Sequence, residues 1–176
     1  MDDANGLYNT EKIMTNNDVV RRLRFTLDMT DSDMMETMAH SEVVTSRNKI
    51  SGWLKKEDDP NYLAISDLQL AQFLNGLIIA RRGKREGPPM IAEKRLNNNL
   101  ILLKLKIALA YKAEDVVGVM KLAGFDVSIH EVTAFFRRPE QSQYRLCKDQ
   151  FLRNFLMGLQ IKYKGPTSRH LKQTKE

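Results

Sequence analysis

The chain has 176 residues, of which 42% are hydrophobic, enough for one large domain or two small ones. A single cysteine excludes a disulfide framework and a cysteine-cluster metal site, and it fits a reducing compartment. No run approaches about 18 consecutive apolar residues, so we expect no transmembrane helix and no membrane partner. Residues 1–14 are polar and begin acidic, unlike a secretory signal.

The strongest pattern is an internal repeat, in which residues 16–80 align with residues 98–162 without a gap. Identical pairs in this alignment include Asn16 and Asn98, Asp67 and Asp149, and Gly76 and Gly158. A register kept over so long a stretch is rare by chance. The sequence therefore predicts two copies of one folding unit.

The repeat divides the chain into five segments. We predict a disordered extension over residues 1–15, helical repeat 1 over 16–80, a basic linker over 81–97, helical repeat 2 over 98–163 and a polar tail over 164–176. Glycine and proline favour a loop in the linker. Residues 14–17, Met-Thr-Asn-Asn, resemble a natural chain start, which is why residues 1–13 are interpreted as an extension.

Each copy is predicted to form four helices. The first runs over about 17–28, with Val20, Leu23 and Leu27 on one apolar face. Short amide side chains commonly cap helix N-termini, so the first helices are predicted to be capped by Asn16 and Asn17, and in copy two by Asn98 and Asn99. The second helix is predicted over about 31–39 and, in copy two, over 112–122.

The third and fourth helices begin with serine. Ser128 and Glu131 have the spacing of a capping box at the third helix of copy two, and Ser66 and Gln69 have it at the fourth helix of copy one. All five prolines fall outside the predicted helices, and no stretch alternates with a period of two. The predicted fold class is all-α, with two tandem copies of a four-helix unit that contain helix-turn-helix-like hairpins and pack through helix four or helix one.

The second and third helices of each copy could form a DNA-reading pair, with a glycine at the turn in copy two and a basic end to helix three. In copy one, Arg47, Lys49 and their neighbours would then face bases or phosphates. Copy two has Ile129, His130 and Glu131 there, which suit phosphate contacts poorly. The turn is also longer than usual. An ordinary packed helical hairpin is therefore favoured over base reading.

Charge is unevenly distributed along the chain. Residues 17–80 carry a net charge of −3, whereas residues 81–97 and 98–163 each carry +4. Basic segments contact phosphates or acidic proteins, although many are only solvated linkers. The candidate nucleic-acid contacts are Arg47, Lys49, Lys55, Lys56, Arg81, Arg82, Lys84, Arg85, Arg137 and Arg138. The helix-three cations would join those of the linker only if both helix-three ends face the same side.

Catalytic and cofactor signals are weak. Asp67 and Asp149 stand at helix starts, where the helix dipole alone accounts for a carboxylate. The three histidines and Cys147 lack metal-ligand spacing, and Cys147 aligns with Ile65 in a predicted apolar position. No phosphate-binding or dinucleotide motif is present, so neither a cofactor nor an enzyme is predicted.

Glycine and methionine residues indicate packing features. Gly76 and Gly158 lie within helix four, where glycine is costly, so we expect another helix to approach closely there, with the other copy a candidate. Met34, Met35 and Met38 on helix two indicate either core filling or an adaptable partner surface.

Four segments resemble one known family. They are Trp53-Leu-Lys-Lys-Glu-Asp-Asp-Pro60, Phe73-Leu-Asn-Gly-Leu-Ile78 with Arg82-Gly-Lys84, Leu96-Asn-Asn-Asn99, and Asp149-Gln-Phe-Leu-Arg-Asn-Phe-Leu156. The chain from Met14 to Tyr163 resembles the YehS-like bacterial family, which is built from a duplicated domain of unknown function. The resemblance implies a cytoplasmic bacterial protein and supplies no activity or site.

Two functional hypotheses follow, with an enzyme as the third. One is a nucleic-acid-binding or regulatory module with weak sequence preference, which uses the basic linker and the helix-three ends. The other is a protein–protein adaptor that uses the Met-rich face of repeat 1.

Overall fold

The computed structural model describes residues 13–166, which form eight α-helices and no β-strand. In chain order the helices are α1 (Asn16–Thr26), α2 (Asp31–His40), α3 (Arg47–Leu54), α4 (Asp67–Arg82), α5 (Asn98–Ala108), α6 (Ala113–Leu122), α7 (Ile129–Phe135) and α8 (Asp149–Lys164). The predicted all-α fold with two tandem four-helix copies is confirmed. Residues 1–12 and most of the polar tail, residues 167–176, lie outside the described residues.

The predicted helix caps are confirmed for Ser66 and Ser128 and are wrong for the asparagine pairs. The capping boxes at Ser66 and Ser128 are formed as predicted. The first helices are capped instead by Thr15 and Asn97, one residue earlier than predicted. Thr15, which the sequence assigned to the extension, is therefore part of the first helical unit.

The asparagine pairs fail as caps because their side chains bond to a distant part of the same copy. Buried Asn17 donates from Nδ2 to the carbonyl oxygens of Trp53 (3.0 Å) and Leu63 (2.8 Å), while its Oδ1 accepts from the Ile65 amide (2.9 Å). Buried Asn99 makes the same three contacts in copy two, with Phe135, Arg145 and Cys147. Each amide thus ties helix one to the end of helix three and to the segment before helix four.

Two repeat-equivalent carboxylates join the copies to each other. Asp67 accepts from Asn16 Nδ2 in its own copy (2.8 Å) and from the Leu96 amide at the entry to copy two (2.9 Å). Asp149 repeats the pattern with Asn98 Nδ2 (2.6 Å) and the Met14 amide (3.0 Å). These contacts form a closed ring that holds the N-termini of α1, α4, α5 and α8 at one end of the molecule.

The four ringed helices form the centre of the fold and run in the same direction. Helix α4 packs against α5, and α1 packs against α8. Their far ends also meet, since Ile107 of α5 shares a cavity with Arg82 of α4, and Lys164 of α8 lies over the ring of Phe25 in α1. The copies therefore pack crosswise, helix four of each against helix one of the other, while α2 and α6 cover helix four of their own copies.

Close helix approach occurs at Gly76 and Gly158, as predicted, but within each copy. A methyl group at Gly76 would overlap the Thr37 carbonyl oxygen of α2, and one at Gly158 would overlap the Val119 carbonyl oxygen of α6. The expectation that the other copy approaches here is wrong, because the outer helix of the same copy occupies that face.

Replacing Gly76 with alanine should destabilise the protein by about 3 kcal/mol, because the added methyl group meets rigid backbone. Gly118 is the matched control, since it lies in α6 with open space around its Cα. Gly118→Ala should stabilise by up to about 1 kcal/mol through helix propensity. Urea unfolding of both variants measures the difference. Equal effects at the two positions would contradict the close approach of α2 to α4.

Replacing Asp67 with alanine should lower the free energy of unfolding by about 2–4 kcal/mol, because two hydrogen bonds to a charged acceptor are lost. Asp58→Ala, at an exposed loop position, removes the same charge and should change stability by less than about 0.5 kcal/mol. Thermal unfolding followed by circular dichroism compares the two. A similar small effect at Asp67 would argue against the ring.

Candidate nucleic-acid interface

The linker cations lie where the central helices end. Arg81 and Arg82 belong to the last turn of α4 rather than to a loop, and the helix stops at Gly83, whose φ of 83° suits glycine. Lys84 and Arg85 follow directly. All four cations are exposed, and none forms an ion pair within residues 13–166.

The helix-three cations of copy one are mostly engaged within the protein. Arg47 donates to Ser32 Oγ (3.2 Å), and the Lys49 ammonium lies 5.8 Å from the centre of the Trp53 ring. Lys55 pairs with Asp59 at 3.8 Å, whereas Lys56 is exposed. These contacts are weak enough to exchange for a phosphate, but they do not direct a set of side chains into a groove.

The third helix of copy two presents different chemistry. Ile129 and His130 are exposed, and Glu131 is used in the capping box of α7. Arg137 donates to Gln143 Oε1 (3.1 Å), and Arg138 is exposed. The two hairpins therefore do not form a matched pair of reading helices.

The two groups of cations point to opposite ends of the molecule. The end of α3 is fixed beside the start of α1, because Asn17 bonds to the Trp53 carbonyl and Arg21 Nη1 donates to the Lys55 carbonyl (3.0 Å). Asn99 fixes the end of α7 beside the start of α5 in the same way. The linker cations lie at the other end of α4, which has 16 residues and is about 24 Å long.

A cavity of about 610 Å³ lies beneath the basic linker, between α4, the end of α2 and the end of α5. About half of its wall is apolar, formed by Ile78, Ile79, Pro88, Pro89, Met90 and Ile107. Its charged lining groups are Arg82, Lys84 and Arg85, with Glu42 and Glu86 of opposite sign. Such a combination of apolar wall and charged rim is typical of small-molecule sites.

A buried polar pair lies at this cavity. Lys104, only 8% exposed, donates to Asn75 Oδ1 (2.6 Å) and pairs with Glu93 Oε2 (3.0 Å). Asn75, 3% exposed, lines the cavity. The sequence analysis missed both residues, although each is a polar residue within an apolar stretch, a pattern that the sequence shows.

A second basic cleft, of about 280 Å³, occupies the opposite end and was also missed. It is lined by Met14, Asp18, Arg21, Arg22 and Arg153. Burial lowers the pKa of Arg22, and the neighbouring Arg153 acts in the same direction, against the opposing effect of Asp18. Arg21 Nη2 is paired with Asp18 Oδ1 at 2.5 Å, so part of the positive charge is neutralised.

The methionines that were predicted to form a partner-binding face do not lie at the surface. Met34 and Met38 are fully buried in the core, and Met35 is half-buried, because helix α2 turns its apolar side onto α4. The prediction of a docking face formed by these methionines is wrong, and core filling is the correct interpretation.

Asp33, in the first turn of α2, has a structural role. Asp33 accepts from the Thr30 amide and hydroxyl (2.7 Å each), and these hydrogen bonds lower its pKa.

Across residues 13–166, no group of three histidine, cysteine or acidic side chains could hold a metal ion. His40 and His130 are exposed, and His170 lies beyond the described part of the chain. None of the helices described is long and apolar enough to cross a bilayer.

The crosswise pair of four-helix units defines an all-α protein with an internal duplication. Comparison with known families identifies the duplicated unit. Residues 16–83 and 98–165 each match the model of a protein of unknown function, DUF1456, and the chain belongs to that family. It is 40% identical to the uncharacterized protein YehS of Escherichia coli (strain K12) over 147 residues, which cover 83% of this chain and 94% of the relative. The YehS-like resemblance is thereby confirmed. No solved structure matches the chain.

Because of Cys147, the stability of the protein should fall as the pH rises above about 9. Burial raises the pKa of its thiol from 9.0 to about 12, and nearby Asp149 contributes in the same direction. The folded thiol stays protonated while the unfolded one ionises, so the stabilisation is complete below pH 9 and is lost as pH rises towards 12. Over that range the loss is about 1.4 kcal/mol per pH unit.

Cys147→Ile, which introduces the residue of copy one, isolates this effect from other titrating groups. Urea unfolding of both proteins at pH 8, 9.5 and 10.5 should show a steeper decline for the wild type. Parallel declines would indicate that the thiol does not ionise on unfolding.

Proposed function

We propose that this protein binds nucleic acid through the phosphate backbone, with weak sequence preference, at the end formed by α4 and the basic linker. The observation that carries the proposal is a set of four exposed cations within five residues, Arg81, Arg82, Lys84 and Arg85, which form no ion pair within residues 13–166. Cations of this kind release counterions from a phosphate chain whatever its sequence.

Weak sequence preference follows from the hairpins. Base reading requires several side chains of one helix to reach base edges in a groove. Here Arg47, Lys49 and Lys55 are engaged with neighbouring side chains, and α7 offers Ile129 and His130 at its start. These surroundings favour backbone contacts over base contacts.

We propose a binding protein of the bacterial cytoplasm rather than an enzyme. Catalysis needs titratable groups that converge on a reacting atom. Asp67 and Asp149, the carboxylates that the repeat singles out, accept structural hydrogen bonds from both copies. This use supports a role in folding rather than in chemistry.

A protein–protein adaptor is the second candidate, at a different surface from the methionines. Leu122, Phe125 and Ile129 are 48%, 40% and 38% exposed at the turn between α6 and α7. Exposed apolar side chains grouped in one turn are typical of protein contacts. Partners that survive nuclease treatment during affinity purification would favour this candidate.

Neutralising Arg81, Arg82, Lys84 and Arg85 to glutamine should weaken binding to all duplex sequences alike. Four phosphate contacts predict a slope near −4 for log affinity against log salt concentration, at about 0.9 per contact. The quadruple variant should flatten that slope towards zero. Fluorescence anisotropy with two unrelated labelled duplexes at several salt concentrations measures both effects.

The matched control neutralises four cations at the opposite end, Lys55, Lys56, Arg137 and Arg138. It changes net charge equally, so a slope that survives in this variant assigns binding to the linker end. Equal losses in both variants would point to a general charge effect, and no binding of the wild type at low salt would contradict the proposal.

A further inference from the structure

The cavity beneath the basic linker combines features that fit one nucleotide. We infer that it accepts a nucleotide unit, with the base between the apolar walls and the phosphate at Arg82, Lys84 and Arg85. The inference deepens the proposed function: binding of a nucleotide that is part of a single strand rests on that function. A nucleotide embedded in a single strand and a free mononucleotide share this chemistry, and the experiment separates them.

The size and walls of the cavity suit a base. Its volume of about 610 Å³ falls within the range of about 300–1,000 Å³ that is common for small-molecule sites. Ile78 and Ile107 line it from two packed helices, and Pro88, Pro89 and Met90 line it from the linker. A planar base gains from burial between such apolar surfaces, whereas an inorganic anion does not.

Asn75, which lines this cavity, has a hydrogen-bond donor without a partner among residues 13–166. The Lys104 ammonium has only donors, so the amide atom that it contacts must be Oδ1, and the orientation of the amide is fixed. The other amide atom, Nδ2, makes no hydrogen bond within residues 13–166. A donor without a partner on a largely buried side chain can bind a ligand acceptor, which the ring nitrogens and carbonyl oxygens of bases provide.

The charged lining favours an anion at the mouth. Arg82, Lys84 and Arg85 face it with Glu42 and Glu86, so cations outnumber carboxylates. A base within an intact duplex cannot enter without leaving its stack. The site is therefore selective for single strands or free nucleotides, whereas the exposed linker cations serve duplex and single strand alike.

The equivalent place in the other half of the molecule has different chemistry. At the repeat-equivalent positions, Met157 corresponds to Asn75, Gln160 to Ile78 and Phe25 to Ile107. There the Lys164 ammonium lies 5.3 Å from the centre of the Phe25 ring and is paired with Asp28. Among residues 13–166, the polar amide and the three-cation rim thus belong to one copy, which gives a matched control within the same chain.

Filling the cavity tests the inference. Ile107→Trp adds an indole at a half-exposed wall position, and Phe25→Trp makes the corresponding change in the other copy. Anisotropy with a labelled twelve-nucleotide oligo-dA strand and with a twelve-base-pair duplex measures both variants at fixed salt. Titration calorimetry with adenosine monophosphate measures the free nucleotide. Circular dichroism checks that each variant is folded.

We expect Ile107→Trp to weaken oligo-dA binding at least about five-fold, the lower range for loss of one base contact, and to leave duplex binding unchanged. Phe25→Trp should leave both unchanged. Asn75→Met, which installs the residue of copy two, should also weaken oligo-dA binding, with duplex binding again unchanged.

The outcomes separate this inference from the proposed function. Oligo-dA binding that Ile107→Trp leaves intact overturns the inference and leaves backbone binding in place. Adenosine monophosphate binding that Ile107→Trp abolishes, without binding of either oligonucleotide, supports the cavity and contradicts the proposed function. Wild-type protein that binds none of the three probes overturns both.

Discussion

Two carboxylates hold the centre of this protein together. The N-terminus of each central helix carries a partial positive charge, and four such ends at one place repel one another. Asp67 and Asp149 place negative charge among them, and each accepts one hydrogen bond from either copy. This ring holds the N-termini of α1, α4, α5 and α8 together and thereby supports their common direction and crosswise pairing, on which the rest of the structure is built.

The ring also determines where ligands could bind. Because α4 and α5 start at the same end, the chain must return along the full length of α4 before α5 begins, and residues 83–97 make that return. The returning segment covers the open side between the two helix ends, which creates the cavity and places Lys84 and Arg85 at its edge. The basic charge that the sequence places in a linker thus becomes part of a pocket wall.

Much of the fold could be predicted from local chemistry. The repeat, the helix order, the serine caps and the packing glycines each follow from residues close together in sequence or from the self-alignment. The role of Asn17 could not be predicted in this way. A short amide side chain at a helix start can cap the helix, and it can equally bond to backbone groups 36 to 48 residues further along the chain. Local preference cannot rank these alternatives, since the choice depends on where α3 packs.

The candidate site shows the same division. The exposure of Arg81, Arg82, Lys84 and Arg85 could be read from composition, but their separation from Lys55 and Arg137 depends on the parallel arrangement of the central helices. The contact between Asn75 and Lys104 could not be predicted from the sequence for a related reason. They lie in different copies, 29 residues apart, and only the crosswise packing of α4 on α5 brings the ammonium to the amide.

Crosswise packing has a consequence for how the protein is made. Helix α1 leaves the ribosome before the other helices described. Although α3 packs against it within the same copy, α8 also covers it, and the Met14 amide finds its acceptor 135 residues later. At a translation rate of about 5–20 residues per second, α1 spends roughly 7–27 s without that partner. The part of its surface that α8 covers is exposed to other nascent chains and to chaperones throughout this interval. The first unit therefore matures only after the second has been synthesised, although it comes first in the chain.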